Sequence, residues 1–218
     1  GCANLLGFVN TFDKNAKTPN IEYIHFCLPK KMIGYKELAA TFGYTDEIIE
    51  QLDKEAQEAP PLSATSILLR PKSRGTVKLR SKNIYDHPII NPEYFSDDED
   101  MKVMISGIRE YRKLLSTESF KQYEIKDSQI LLPDCVNLLF DSDDYWRCHI
   151  KYFSTSIWHQ VGTCKMGEED DASAVVTPKL KVKGIDGLRV ADASIMPNVI
   201  SGHTNAATIM IGEKAADI

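Results

Sequence analysis

Two histidines in apolar, glycine-containing surroundings are the side chains best suited to chemistry. His159 lies in the run SIWHQVGTCKMG (156–167), and His203 lies in SGHTNAA (201–207). Imidazole has an unperturbed pKa near neutrality, so one ring of such a pair can accept a proton while the other orients or polarises the same oxygen. They are therefore the candidate catalytic residues. The alternative is that each is an ordinary hydrogen-bonded core histidine.

A metal site at these residues has less support. Cys164 and His149 are available as further ligands, but neither an H-x-x-x-H nor a C-x-x-C spacing occurs. Structural zinc sites use close pairs of this kind. The acidic run 97–100 lacks the ligand spacing of an EF-hand and is typical of a helix start. We therefore predict no metal ion.

Capping residues predict the helices that precede the histidines. Thr45 begins a helix that continues to about Glu58, where two prolines end it. Ser96 with Glu99 forms a capping box for a second helix. Ser142 begins a third helix, which delivers the chain to the His159 segment.

Alternation of apolar and polar residues predicts the strands. Residues 21–28 indicate one strand, and the runs 64–71 and 75–81 predict an antiparallel hairpin. Residues 86–95 contain two prolines and are predicted to form an extended connector.

The C-terminal region places an acidic residue before a helix of small and apolar residues. Two short strands are expected around a turn from Gly184 to Gly187, and Asp192 ends the second strand. The final helix is apolar nearly all round, which predicts burial. Its N-terminus suits an electron-rich heterocycle or a phosphate. The alternative is that Asp192 caps a turn and the helix fills a core.

Composition excludes several classes of protein. The 218 residues, 43% of them hydrophobic and with a net charge of −5, indicate a globular chain of one or two domains without the basic excess that nucleic acids require. No run approaches the ~20 apolar residues that span a bilayer. Among the five cysteines, Cys135 and Cys148 either form a disulfide or remain two unlinked thiols.

Several long segments resemble the glucose–methanol–choline (GMC) oxidoreductases, which are FAD-dependent alcohol oxidases and dehydrogenases. The residues 158–167 and VVTPKLKVKGIDGLRVADASIMPNVISGHTNAATIMIGEKAAD (175–217) resemble the C-terminal signature of that family. PKSRGTVKLRSKNIYDHPIINPEYFSDDEDMKVMISGIR (71–109) resembles the stretch that opens its C-terminal domain. DCVNLLFDSDDYWRCHI (134–150) is similar to the insect glucose-dehydrogenase-like branch. The resemblance is strong over 64–218 and weak over 1–63.

The resemblance implies roles for particular residues. His159 takes the proton of an alcohol hydroxyl, His203 hydrogen-bonds the same oxygen, and hydride passes to FAD. Electrons then pass to an acceptor such as oxygen or a quinone. The resemblance also implies that four residues contact the flavin: Trp158, Asp192, Ala193 and Asn205. Two positions depart from the common pattern, because Gln160 replaces a proline and His203 replaces the asparagine of insect members.

The implied fold is α+β, with an antiparallel-sheet substrate domain, flanking helices, and the last strand and helix of a Rossmann-like FAD domain. The implied divisions are a partial connecting region (1–63), the substrate domain (64–158), and the active-site segment with the C-terminal strand and helix (159–218). No G-x-G-x-x-G motif occurs, so the rest of the FAD domain is expected outside these residues.

Two other functions remain open: a family lyase of the hydroxynitrile-lyase type, and a non-catalytic relative. For localisation, the resemblance and a Cys135–Cys148 disulfide favour secretion.

Overall fold

The computed structural model describes residues 2–128 and 130–218, and these form two compact units. One contains the residues up to Leu68 together with Met101–Ile157, and the other contains Leu69–Asp100 and Trp158–Ile218. Each unit combines helices and turns with one small antiparallel sheet. The elements are β1 (Cys2–Val9), β2 (Ile21–Cys27), α1 (Tyr35–Ala40), α2 (Asp46–Glu58), β3 (Leu62–Leu68), β4 (Thr76–Lys78), β5 (Ile89–Asn91), α3 (Asp98–Leu115), α4 (Glu118–Lys121), α5 (Asp143–Phe153) and α6 (Asn205–Ala216).

The first unit is built on a three-stranded antiparallel sheet in the order β1-β2-β3. The predicted strand at 21–28 is confirmed as β2, the middle strand. Ile21 of β2 pairs with Val9 of β1 and with Leu68 of β3. Strand β2 therefore has a neighbour on each side, and Ile21 is completely buried.

Helix α3 packs on β2 through a close approach at Gly107. Ile21 and Tyr23 of β2 form one apolar cluster with Val103 and Tyr111 of α3. The Tyr23 hydroxyl donates to the Gly107 carbonyl at 2.7 Å. A Cβ atom at position 107 would lie 3.1 Å from Ile21 Cγ1, so the absence of a side chain there permits the contact.

Two of the predicted helix starts are confirmed. Helix α2 begins after Thr45, and α5 begins after Ser142, whose hydroxyl accepts the Tyr145 N–H at 3.1 Å. A disulfide joins Cys135 to Cys148 of α5, so the first of the two alternatives for this pair is confirmed.

His149 of α5 is half-buried among aromatic side chains. Its ring stacks on Phe153 with ring centroids 4.6 Å apart, and burial lowers the pKa of His149 to about 4. The structure therefore places this histidine among aromatic rings, in surroundings that disfavour its protonated form.

The predicted start of α3 at Ser96 is wrong by one residue. The Asp97 carboxylate caps the helix by accepting the Glu99 N–H at 2.9 Å. Asp100 is 3% exposed and accepts the backbone N–H groups of Lys72 and Ser73, each at 2.8 Å. The acidic run therefore starts the helix and also fixes the preceding chain.

The predicted hairpin between 64–71 and 75–81 is wrong. Strand β3 pairs with β2, whereas β4 pairs with β5 in a separate two-stranded sheet. The segment between β3 and β4 explains the difference. Its Lys72 and Ser73 N–H groups donate to Asp100, and these hydrogen bonds hold the segment at the start of α3 and prevent a tight reversal. Residues 86–95 are extended around β5, as their prolines predict.

The second unit has its core around five buried apolar residues: Val176, Leu180, Ile195, Met196 and Ile211. The predicted turn occurs between two backbone pairings, with the Val182 N–H donating to Leu188 at 3.0 Å and the Val190 N–H donating to Leu180 at 3.1 Å. Gly184 and Gly187 both have φ near +75°, a conformation that favours glycine. The pairing consists of isolated bridges rather than the two strands expected.

The prediction that α6 is buried all round is wrong for this chain. Ile211 is buried in the second unit's core, but Ile209 is 58% exposed and Met210 is 57% exposed. The residues of this chain therefore cover only one side of the helix. Within 2–128 and 130–218, no helix combines the length and the apolar character needed to cross a bilayer.

Candidate active site

The two candidate histidines meet in the second unit. His159 Nε2 lies 2.9 Å from His203 Nδ1. The ring centroids are 5.1 Å apart, and the rings are steeply inclined at 76°. Residues separated by 44 positions in sequence thus share a direct hydrogen bond, which is the first requirement for a joint chemical role.

Two left-handed residues position the His159 segment. Trp158 has φ near +60° and is 68% exposed, while Gly162 has φ near +91°. A Cβ atom at Gly162 would lie 3.4 Å from the Met196 carbonyl oxygen. Beyond this glycine, the Cys164 N–H donates to the Ser194 carbonyl at 3.0 Å. The His159 segment is therefore attached to the chain that leads into α6.

A tight turn presents His203 immediately before α6. The Gly202 N–H donates to the Ile200 carbonyl at 2.8 Å, and Thr204 follows as the N-cap residue of α6. The His203 side chain is exposed, whereas His159 is half-buried. The pair therefore contains an exposed ring, His203, and a half-buried ring, His159, which we call the inner ring.

Thr204 holds the inner ring. Thr204 is buried at 6% exposure, and its Oγ1 lies 2.8 Å from His159 Nδ1. Both ring nitrogens of His159 are therefore in hydrogen bonds. Sequence reasoning did not identify Thr204, although its place next to His203 at the start of a helix was an available signal.

The hydrogen-bonded chain from Thr204 through His159 to His203 has two proton arrangements when both rings are neutral. A neutral imidazole carries one N–H. If His159 donates from Nδ1 to Thr204, its Nε2 accepts the N–H of His203. If Thr204 donates instead, His159 Nε2 carries the proton and donates to His203. Only the first arrangement leaves Nε2 able to accept another proton.

An alcohol oxygen bonded to both imidazoles requires a wider gap than the structure shows. Two hydrogen bonds of normal length to one oxygen place the two nitrogens on the order of 5 Å apart, compared with 2.9 Å here. The direct contact between His159 and His203 must therefore open to admit such an oxygen.

Asp192 serves as a turn cap. Its Oδ1 accepts the Ser194 N–H at 2.8 Å and begins a short 3₁₀ turn at Ala193–Ile195. Within the described residues it makes no hydrogen bond to His159 or His203. This geometry favours the turn-capping alternative for the carboxylate, while the backbone of Ala193 lies in the turn that it caps.

The other predicted site residues lie beside the histidines in sequence. Trp158 directly precedes His159, and Asn205 is the exposed first residue of α6. Gln160 Nε2 lies 3.5 Å from Tyr94 Oη. The glutamine thus contacts the segment that follows β5, which gives a structural role to the residue that replaces a proline.

Comparison with known proteins agrees with the resemblance seen in the sequence. The sequence model of the family described as GMC oxidoreductase matches residues 71–212. "Glucose dehydrogenase [FAD, quinone]" of Drosophila pseudoobscura pseudoobscura is 38% identical over 84% of this chain and 28% of its own length. "Alcohol dehydrogenase [acceptor]" of Pseudomonas putida is 38% identical over 97% of this chain and 33% of its own length.

A solved structure supports the fold. The crystal structure of pyridoxine 4-oxidase from "Mesorbium loti" has a TM-score of 0.70 and 23% identity, and the match covers 97% of this chain and 36% of that one. This chain spans about a third of the length of the relatives that it matches. The family model and the two relatives together confirm that the chain belongs to the GMC oxidoreductase family.

Proposed function

We propose that this protein is an FAD-dependent oxidoreductase that acts on the CH–OH group of an alcohol, and that His159 and His203 are its proton-handling residues. The observation that carries the proposal is the direct contact between the two imidazoles, with the inner ring held from behind by Thr204. FAD, when bound, supplies the hydride acceptor. The protein's own residues supply proton transfer, orientation and electrostatics.

The residues of the second unit suit a flavin. Trp158 offers an exposed aromatic ring, and the exposed side of α6 offers Ile209 and Met210, which match an apolar ring system. Thr204 makes no side-chain cap at the start of α6, so the positive end of that helix favours a group that gains negative charge. With Trp158, we propose three further flavin contacts: Asp192, Ala193 and Asn205.

His159 acts as the base in this proposal. An alcohol hydroxyl is too weak an acid to ionise near neutral pH, so hydride loss from its carbon needs a nearby proton acceptor with a pKa near the working pH. When the alcohol oxygen replaces the His159–His203 contact, His159 Nε2 accepts the hydroxyl proton. His203 hydrogen-bonds the same oxygen and orients it. Removal of the proton places negative charge on the oxygen, which favours departure of the hydride from carbon.

Replacement of His159 in the full-length, flavin-loaded protein tests the base. We expect His159→Ala to lower kcat for alcohol oxidation by ~10²-fold or more, with the flavin absorbance spectrum unchanged. Gln160→Ala is the matched control because it alters the adjacent exposed side chain, and its kcat should stay within about threefold of the wild type. Near-normal turnover by His159→Ala would rule out the proposed base.

Electron transfer to an acceptor separates an oxidoreductase from a family lyase. The wild-type protein should reduce a quinone or oxygen in step with consumption of an alcohol, measured over a panel of sugars, choline and sterol alcohols. The names of the two relatives, which specify a quinone and an unnamed acceptor, make the quinone assay the first choice. Cleavage of an alcohol substrate without reduction of an acceptor would contradict the proposal.

The disulfide supports a proposal about the compartment. Disulfides persist in oxidising environments and are rare in the cytosol of most organisms. Because Cys135 and Cys148 are linked, we propose that the protein is secreted.

A further inference from the structure

We infer that Thr204 is a positioning residue that selects the protonation form of His159. Its hydroxyl accepts the N–H at His159 Nδ1 and thereby leaves Nε2, the nitrogen that faces His203, as a proton acceptor. The inference deepens the proposed function, and its catalytic consequence rests on that proposal. The protonation form itself is a property of the protein that can be measured without turnover.

The Thr204 hydroxyl is available for this role because it does not cap α6. Thr204 has φ −79° and ψ −12°, a helical conformation, and makes no side-chain cap. Ser142, by contrast, has φ −71° and ψ 161° before α5, and its hydroxyl accepts the Tyr145 N–H. A capping side chain normally needs the extended conformation. The helical conformation of Thr204 leaves its hydroxyl to meet His159 instead.

Of the two hydrogen-bond partners of the His159 ring, Thr204 is held more rigidly than His203. Its carbonyl accepts both the Thr208 N–H at 2.9 Å and the Thr208 hydroxyl at 2.8 Å. Its side chain is buried, whereas His203 is exposed and His159 lies in an irregular segment. When the His159–His203 contact opens for substrate, the bond to Thr204 keeps the His159 ring in place.

One direction of this hydrogen bond serves both protonation states of the base. Neutral His159 with its proton on Nδ1 donates to Thr204 Oγ1 and keeps a lone pair on Nε2. After Nε2 accepts the hydroxyl proton, Nδ1 still donates to the same oxygen, and the bond is strengthened by the positive charge. No side chain has to turn during the transfer. In the opposite direction, Nε2 would already carry a proton and could not act as the base.

Kinetics of three forms of the full-length, flavin-loaded protein test the role of the hydroxyl. Thr204→Val keeps the shape of the side chain and removes the hydroxyl, and Thr204→Ser keeps the hydroxyl. Loss of a hydrogen bond to a charged group corresponds to about a 10- to 100-fold effect. We therefore expect Thr204→Val to lower kcat by at least about tenfold with KM little changed, and Thr204→Ser to remain within about threefold of the wild type.

Imidazole ¹⁵N chemical shifts test the protonation form directly. In full-length protein labelled at histidine, with assignment of the His159 signal by His159→Gln, the wild type and Thr204→Ser should show neutral His159 protonated at Nδ1. Thr204→Val should show a substantial population protonated at Nε2. Thermal unfolding of each variant gives the fraction folded, and the wild-type spectrum is informative even if Thr204→Val is unstable.

Two results would overturn the inference. One is a wild-type His159 that carries its proton at Nε2 in the neutral form. The other is a folded Thr204→Val protein whose kcat and His159 signals match the wild type. Failure of the wild type to oxidise any alcohol would contradict the proposed function, but the ¹⁵N spectra would still show whether Thr204 selects the proton position.

Discussion

Individual histidines in this chain differ in what surrounds the ring. His159 has a hydroxyl on one nitrogen and a second imidazole on the other, at 2.8 and 2.9 Å. His149 stacks on Phe153, with ring centroids 4.6 Å apart. The first environment supplies partners for protons, and the second supplies apolar contact. The same residue type is therefore suited to proton transfer in one place and to packing among aromatic rings in another.

The pKa of His149 predicts a loss of stability in acid. Burial lowers it from the ordinary 6.5 to about 4, so the folded state resists protonation that the unfolded state accepts. The contribution of this residue is complete above pH 6.5, decreases as the pH falls towards 4, and changes no further below that. At about 1.4 kcal/mol per pKa unit, the loss between pH 7 and pH 4.5 is on the order of 2 kcal/mol.

Urea unfolding at pH 7 and pH 4.5 measures this effect. We expect His149→Phe, which cannot be protonated, to lose less free energy of unfolding over this interval than the wild type, by about 2 kcal/mol. His87→Phe is the control, because His87 is exposed and this variant should follow the wild type. Equal pH dependence in all three proteins would contradict the lowered pKa of His149.

At the scale of elements, the contact between α3 and β2 depends on the missing side chain of Gly107. A Cβ atom there would lie 3.1 Å from Ile21 Cγ1 and 3.3 Å from its Cδ1, and Ile21 is completely buried on the middle strand of its sheet. The neighbouring atoms therefore have little space to move. Added volume in a packed core generally costs about 1–3 kcal/mol.

A second helical glycine provides an internal reference for this cost. Gly212 lies in α6, and a Cβ atom there meets no atom within 4 Å. Both Gly107→Ala and Gly212→Ala gain the helix propensity of alanine, so the difference between them isolates the packing cost. We expect Gly107→Ala to be less stable than Gly212→Ala by about 1–3 kcal/mol in chemical unfolding. Equal effects would show that α3 can shift away from β2.

Local signals explain which elements could be predicted from the sequence. The starts of α2 and α5 follow from Thr45 and Ser142, because the extended conformation at each helix start depends on adjacent residues. The pairing of β3 with β2 joins residues such as Leu68 and Ile21 that lie far apart in the chain. Runs 64–71 and 75–81 contain ordinary strand and turn residues, so local pattern favoured a hairpin that the fold does not form.

The candidate site was also predictable only in part, because some of its residues have local signals and others depend on the folded backbone. His159 and His203 stand out by residue type and by their glycine neighbours. Thr204 did not, because a threonine at the start of a helix is expected to cap it, and only the backbone conformation directs its hydroxyl to His159. For Asp192, the end of a strand suggested a ligand contact. The structure shows that its carboxylate caps a turn, and its contact with a flavin stays a prediction.

For the whole molecule, the chain accounts for about a third of the length of its relatives. Its 218 residues contain no G-x-G-x-x-G motif, the turn that brings backbone N–H groups against a dinucleotide pyrophosphate. The second unit offers groups suited to a flavin ring, but the glycine-rich turn that the family uses to hold the pyrophosphate is not among these 218 residues. Tight binding of FAD should therefore need residues beyond these.

Titration of the 218-residue chain with FAD tests whether tight binding needs residues beyond these. We expect no stoichiometric binding, measured by flavin fluorescence and by coelution in gel filtration, because the pyrophosphate contact is missing. The full-length protein prepared in parallel should retain flavin through the same column. Stoichiometric, tight binding by the 218-residue chain would contradict the prediction.

The two tryptophans of the chain differ in a way that gives the site its own optical label. Trp146 is 6% exposed and donates from Nε1 to Asp141 at 2.7 Å, whereas Trp158 is 68% exposed and directly precedes His159. An aqueous quencher such as iodide therefore reaches the indole of Trp158 far more readily than that of Trp146. In Trp146→Phe, the remaining tryptophan emission of this chain comes from Trp158 beside the candidate base, where it reports on events at that position without an added dye.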